Sequence, residues 1–239
     1  MNRRNNRPLG LLDQAKLILG FFRSPSAALK KLSLRAPMAV ALLSVTVLGV
    51  VLQWALLPYL EQAALGSLRH QPGSAELEQT LRLMSRVQML ALLFYPILMI
   101  VKWALLGLML ALSCQLAGVA TTLRQSFSII AHASFLPLLQ TAQVLLILML
   151  KGVGSVRRPS DLQPPLGLDL LWAPQDELAL LILHNLNPFE IAYLCFITAA
   201  VAMTDPHASR LRALAACAPL WLLTLTSRVL LSWSGRPEG

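Results

Sequence analysis

The chain has 239 residues, 56% of them hydrophobic and only 13% charged, with a mean hydropathy of +0.63. Soluble domains carry about 25% charged residues, so this composition excludes an ordinary water-soluble globule and indicates one domain packed inside a bilayer. The net charge of +9 does not indicate a nucleic-acid partner, because eight Lys and Arg residues precede the first apolar run against one acid, Asp13, and no stacking motif of an RNA-binding module accompanies them.

Those N-terminal basic residues suit anionic lipid headgroups and set the orientation of the first span. A signal peptide is not expected, since Asp13, Gln14 and Lys16 interrupt the apolar region and no A-x-A site follows. Residues 8–22 place Leu12, Ala15, Ile18, Leu19 and Phe22 at helical spacing, with Asp13, Gln14 and Lys16 off that face. The pattern predicts an amphipathic helix lying on the membrane. Ser24 followed by Pro25 predicts the start of a second short helix.

The first span is predicted over 37–57, ended by Pro58, with Trp54 and Tyr59 at an interface. A polar connector over 60–86 follows, its Glu76, Glu78, Arg82 and Arg86 suiting a solvated helix. The second span covers 87–116, longer than the ~20 residues a bilayer needs, with Pro96 inside as a kink. The third covers 127–150, with Pro137 inside. Residues 151–173 read as loop. Residues 174–186 are too short to cross and read as an interfacial or re-entrant half-helix. The chain then breaks before Pro188, where Asn187 and Glu190 are placed to cap a new helix. The fourth span covers 188–204, "DPHASR" makes a tight turn, and the fifth covers 211–233.

The expected fold is therefore all-α and integral to the membrane: a basic, amphipathic lead-in over 1–35, a five-span domain over 36–233 and a short outer tail over 234–239. With the N-terminus inside, eleven connector Lys and Arg residues fall on the cytoplasmic side and seven on the other. That asymmetry predicts N-in and C-out.

Chemical motifs are absent. There is no H-E-x-x-H, no G-x-S-x-G and no P-loop, and no aspartate lies within a predicted span. His70, His132, His184 and His207 are scattered without metal-site spacing. Cys114, Cys195 and Cys217 each fall in an apolar run and read as buried free thiols. No enzyme activity, metal or cofactor is expected.

What remains is a set of polar residues inside predicted spans: Lys102, Glu190, Arg228, Gln140 and Gln53. At ~1.5 Å per residue all five lie roughly 20–25 Å from the cytoplasmic ends of their spans. One reading is an outer-leaflet polar cluster with Glu190 between two cations, since intramembrane charges face the bundle interior and pair. The other is that Lys102 and Arg228 snorkel separately while Glu190 caps its helix.

Three stretches together resemble the Yip-domain family of five-span membrane proteins. "FFRSPSAALKKL" resembles the lead-in to the family's first span, "TTLRQSFSIIAHASFLPLL" the connector into its third, and "NLNPFEIAYLCFITAAVAMT" its fourth. The likeness covers roughly residues 15–233. The Asp-Leu-Tyr-Gly-Pro stretch of the eukaryotic, Rab-binding branch is absent, and Ala199 and Ala200 stand where the fourth span usually has glycine. The resemblance implies a bacterial inner-membrane member. The expected role is a non-enzymatic scaffold or interaction subunit, partnered by membrane lipids and by another protein or a second copy. The alternative is a small transporter or channel-like subunit using the polar cluster.

Overall fold

The computed structural model describes residues 10–68, 74–157, 159–162, 167–168, 172 and 176–234. Among the described residues there are α-helices and short 3-10 turns and no strand. Helices α1 (Leu11–Arg23) and α2 (Pro25–Arg35) flank Ser24. Ser24 is extended, at φ −154°, with Pro25 at the first helical position and no side-chain cap. Proline has no N–H to lose there, so the second helix starts without help from the serine.

The lead-in is helical as expected, but its packing differs from a helix lying alone on lipid. Helix α2 packs against two later helices, and Ala28, Leu29 and Leu32 are buried. On α1, Leu17 is buried while Leu12 is 78% exposed. Five residues of helix turn these two about 140° apart, so the side of α1 that carries Leu17 meets the protein and Leu12 is left outward. Gln14, read as merely polar, accepts a hydrogen bond from Val40 N at 3.2 Å. Ala36 closes α2 in the left-handed region at φ 42°, a conformation that costs an L-residue roughly 1–2 kcal/mol. The turn is held by its neighbours: Ala36 is buried, and Ser128 Oγ donates to Pro37 O at 2.7 Å.

Helix α3 (Ala39–Leu68) runs straight through Pro58, which does not end it. The expected connector over 60–86 is likewise mostly helix: α3 continues to Leu68, and α4 (Ser74–Leu116) starts at Ser74 and contains Pro96. At ~1.5 Å per residue α4 is about 65 Å long, twice the ~30 Å hydrocarbon thickness. The apolar windows are Ala39–Gly66 in α3 and Ser85–Leu116 in α4. The acidic and basic first turns of α4 lie outside its window, which is why they read as a separate solvated helix.

Helices α5 (Leu123–Ala133) and α6 (Phe135–Lys151) make one apolar stretch, Leu123–Lys151, interrupted at Ser134. Pro137 accounts for the interruption. Its ring has no N–H and collides with the carbonyl four residues back, at Ala133, where α5 ends. Helix α7 (Glu177–Asn185) has nine residues, and α8 (Pro188–Ala202) follows after the expected break. Helix α9 (Arg210–Ser234) closes the described chain. Among the described residues three stretches are thus long and apolar enough to cross a membrane, which makes this an integral membrane protein; α8, at fifteen residues, is a shorter apolar helix.

Contacts divide the chain into two compact units. One draws on Met1–Val45, Val101–Pro137 and Leu166–Gly239. Within it α8 packs against α9 and α5, α2 against α5 and α8, and α7 against α9. Its fully buried side chains include Leu32, Leu110, Ile129, Ile130, Ile197 and Leu220. Small residues are buried on α8 and α9: Ala200, Ala213, Ala216 and Cys217. Lipid is as apolar as leucine, so helices in a bilayer associate by close approach rather than by escaping water, and small residues permit that approach.

The other unit draws on Thr46–Ile100 and Leu138–Pro165. Its core joins Tyr59 and Ala63 of α3 to Val144, Leu145 and Leu148 of α6 and to Val156. Tyr59 is thus a core residue and not an interface anchor, whereas Trp54 is 63% exposed. Of the three cysteines, Cys114 and Cys217 are buried free thiols as expected, but Cys195 is exposed.

Candidate functional site

The polar side chains buried in the first unit concentrate on α5 and on the start of α8. Helix α5 begins with a capping box: Thr122 Oγ1 accepts from Gln125 N at 3.3 Å, and Gln125 Oε1 accepts from Thr122 N at 2.8 Å. The T-x-x-Q spacing of "TTLRQS" is the signal for it, and the sequence reading passed over it. Past the cap, Ser126, Ser128, His132 and Ser134 are all buried.

Each of these groups needs a partner at that depth, because an unpaired polar group in hydrocarbon is costly. Ser128 Oγ donates to Pro37 O. His132 Nδ1 donates to Ser128 O at 2.8 Å, which leaves Nε2 as the acceptor nitrogen of the neutral ring. Ser134 Oγ accepts from Trp103 Nε1 at 2.8 Å and donates to Ile130 O at 2.8 Å. Ser126 Oγ has no hydrogen-bond partner. At the start of α8, Asn187 Oδ1 accepts from Phe189 N at 3.0 Å and from Glu190 N at 3.1 Å. Asn187 Nδ2 is buried without a partner. Glu190 is only 4% exposed, in the first turn, where the helix dipole favours a carboxylate.

The five residues singled out by depth divide between the units. Lys102, Glu190 and Arg228 belong to the first, Gln53 and Gln140 to the second. Lys102 is exposed on α4 beside the buried Trp103. Gln140 is half-buried on α6. Arg228 lies in α9, with its side chain outside the described residues. Gln53 is half-buried and lines a cavity in the second unit with Gln88 and Tyr95, two residues the sequence reading did not single out.

Chemically the α5–α8 region holds hydroxyls, an imidazole and a carboxylate. A nucleophilic hydroxyl needs its proton directed at a base within about 2.6–3.2 Å. Ser128 instead donates its proton to Pro37 O, and His132 Nδ1 donates to the Ser128 carbonyl. The region's recorded bonds fasten α5 to the α2–α3 turn and to α4. Among the described residues there is no group of three or more His, Cys, Asp or Glu placed to hold a metal ion.

A second polar knot ties two connectors in the same unit. Asp205 Oδ2 accepts from Ala120 N at 3.1 Å and Oδ1 from His207 N at 2.9 Å. These two backbone donors hold the Asp205 carboxyl below its ordinary value. Thr204 Oγ1 donates to Val201 O, so at the 2.8 Å contact Thr121 Oγ1 donates to Thr204 Oγ1. The "DPHASR" turn is therefore bonded to the α4–α5 connector. Comparison of the chain with protein-family models, curated proteins and solved structures gives no match.

Proposed function

We propose that this chain is a five-span protein of the bacterial inner membrane, N-in and C-out, acting as a non-enzymatic scaffold or interaction subunit of the Yip-domain type. The observation that carries the reading is the outward face of its long helices. Within an eighteen-residue apolar segment of each long stretch, only 17% of the residues are buried within the chain in α3, 28% in α4 and 33% in α5–α6. That surface suits lipid together with a second membrane protein or another copy of this chain, which associate by lateral packing.

Helices α8 and α9 would supply the fourth and fifth spans. At ~1.5 Å per residue α9 is about 37 Å long and suffices; α8 is about 22 Å and falls short of the ~30 Å hydrocarbon core. A short helix is accommodated when its end is buried in protein and its free N–H groups are capped. Both conditions hold at Asn187.

The test is affinity capture of the tagged full-length protein in mild detergent, with mass spectrometry and mass measurement of the intact complex. The reading expects a stoichiometric membrane partner or a second copy. A monodisperse monomer carrying only lipid and detergent would overturn it. The second reading, a small transporter or channel-like subunit, is favoured by the two amides, Gln53 and Gln88, that line a largely apolar cavity in the second unit. It requires a water-accessible path reaching Lys102 and loss of function in Lys102→Met.

A further inference from the structure

The cavity at Gln53 is built by two helix faces of one unit. On α3, Gly49, Gln53 and Leu57 recur four residues apart; on α4, Gln88, Leu92 and Tyr95 do so at spacings of four and three. Such spacing stacks side chains on one face. Gly49 makes the approach possible. A Cβ there would lie 2.7 Å from Tyr95 Cε1 and 2.8 Å from Cζ, closer than real atoms come. The Tyr95 ring therefore lies against bare backbone, one turn before Gln53.

The cavity is partly open and its volume is about 110 Å³. An engineered cavity of roughly 150 Å³ takes up benzene, so this one holds a few heavy atoms and not a whole lipid. The walls are apolar except for two amides and a phenol, and no lining residue is charged at neutral pH. Gln88 Oε1 is buried and has no hydrogen-bond partner. An orphan acceptor at this level is costly, and a ligand hydroxyl relieves it. Gln88 lies three residues into the apolar window of α4 and Tyr95 ten, roughly 5 and 15 Å below its end on the helical rise. The stretch Ser85–Leu116 is about 48 Å long, so with its excess over the ~30 Å hydrocarbon core shared between both ends these two positions lie on either side of the core boundary, where a lipid's glycerol backbone meets its acyl chains. Trp54 and Phe94, both exposed, offer a place for a chain beside the cavity.

We propose that the cleft between α3 and α4 binds the hydroxyl-bearing head of an uncharged glycerolipid, the acyl chain remaining outside in the bilayer. The proposal rests on the reading that both helices cross the membrane. A charged headgroup is disfavoured, since the wall offers no counter-charge.

The test uses the purified full-length protein in maltoside, titrated with 1-monooleoylglycerol and followed by native mass spectrometry. Oleate, with the same chain and a carboxylate head, and free glycerol are the controls. The expected result is retention of monooleoylglycerol, with oleate and glycerol each held at least tenfold less well. Tyr95→Phe and Gln88→Leu should each weaken retention about fivefold, as loss of one hydrogen bond does. Gln88→Leu should also unfold at a higher temperature than the parent, because the orphan acceptor is gone; a structural Gln88 would give the opposite. Equal retention by parent and Tyr95→Phe, equal retention of oleate, or binding of free glycerol as tight as that of the lipid would each overturn the proposal. Should Gln88→Leu fail to fold, Tyr95→Phe decides alone, since it removes a single oxygen. Failure of the membrane reading shows separately, as release of the protein from vesicles by alkaline carbonate.

Discussion

Gly66 offers the sharpest test of packing in the second unit. A Cβ at Gly66 would collide with the backbone oxygen of Arg157 and lie 2.7 Å from its carbonyl carbon. Backbone cannot swing aside as the end of a long side chain can. This stretch of backbone is also pinned on several sides. Arg157 N donates to Asp161 Oδ2 at 2.8 Å, Ser155 Oγ donates to Gly152 O at 2.7 Å, and Val156 is only 1% exposed. Overpacking of a fixed site costs about 1–3 kcal/mol, and a direct overlap with backbone belongs at the upper end. Against this, alanine gains up to ~1 kcal/mol over glycine within a helix, and less in the last turn, where Gly66 lies. The collision wins by about 2 kcal/mol, which lowers the thermal midpoint by roughly 4–8 °C for a chain of this size. Gly20→Ala is the control. Its nearest neighbour would be Ala28 Cβ at 3.8 Å, an ordinary contact, so only the helical gain remains and the midpoint rises by roughly 2–4 °C. The assay is circular dichroism of the purified protein in detergent against temperature. A Gly66→Ala midpoint equal to or above the parent's would refute the packing described.

Ser134→Ala leaves the Trp103 indole N–H buried without its acceptor and should cost about 1–3 kcal/mol. The buried Cys114 and Cys217 report it: in a Cys195→Ser background, a thiol-reactive dye should label them at a lower temperature. Asn187→Ala removes the cap from α8 and should cost about 1 kcal/mol, and a midpoint unchanged in the same dye assay would show that the cap is dispensable. For Asp205, a depressed carboxyl pKa means its bonds contribute above the ordinary carboxylate value and are lost as pH falls below it. Amide exchange at Ala120 and His207, corrected for intrinsic rates, should therefore accelerate below about pH 4 in the parent. In Asp205→Ala, which has no acceptor oxygen, it should be fast at every pH. Lys102→Met should leave the fold intact and raise accumulation in the membrane. An exposed polar contact contributes about 0.2–1 kcal/mol, whereas a lysine within a span costs roughly 3 on insertion scales. Lower accumulation with lost helicity would refute that balance.

Much of the fold is legible in the sequence because hydrocarbon imposes long apolar runs and little else satisfies the backbone. The three long stretches, the half-helix and the break at Asn187–Pro188 all follow from run length, proline and cap residues. The prolines misled where context overrode the local rule. Pro58 reads as a stop, yet α3 continues to Leu68, while Pro137 does interrupt, at Ser134. The ring removes one hydrogen bond in either place; whether the helix resumes depends on what neighbours satisfy the freed carbonyl. Sequence alone does not hold that information. The same limit explains Tyr59. Its position beyond an apolar run matches an interface anchor, and only the tertiary contact with α6 makes it core.

The polar residues show a different limit. Charges inside predicted spans are conspicuous because each is expensive, so Lys102, Glu190 and Arg228 drew attention first. The structure also satisfies uncharged groups with specific hydrogen bonds: Ser128, Ser134, Trp103 and the side-chain oxygen of Asn187. Each is a small dipole that a single backbone group can satisfy, so such residues pass through a membrane helix without breaking its apolar signature. Gln88 and Tyr95 escaped notice for that reason, although their spacing of seven puts them on one face, opposite a glycine that only proximity explains. In a chain of this kind a glycine facing an aromatic ring marks where two helices touch. Amides one turn away are then the groups to test for a ligand, before the charges that hydropathy makes obvious.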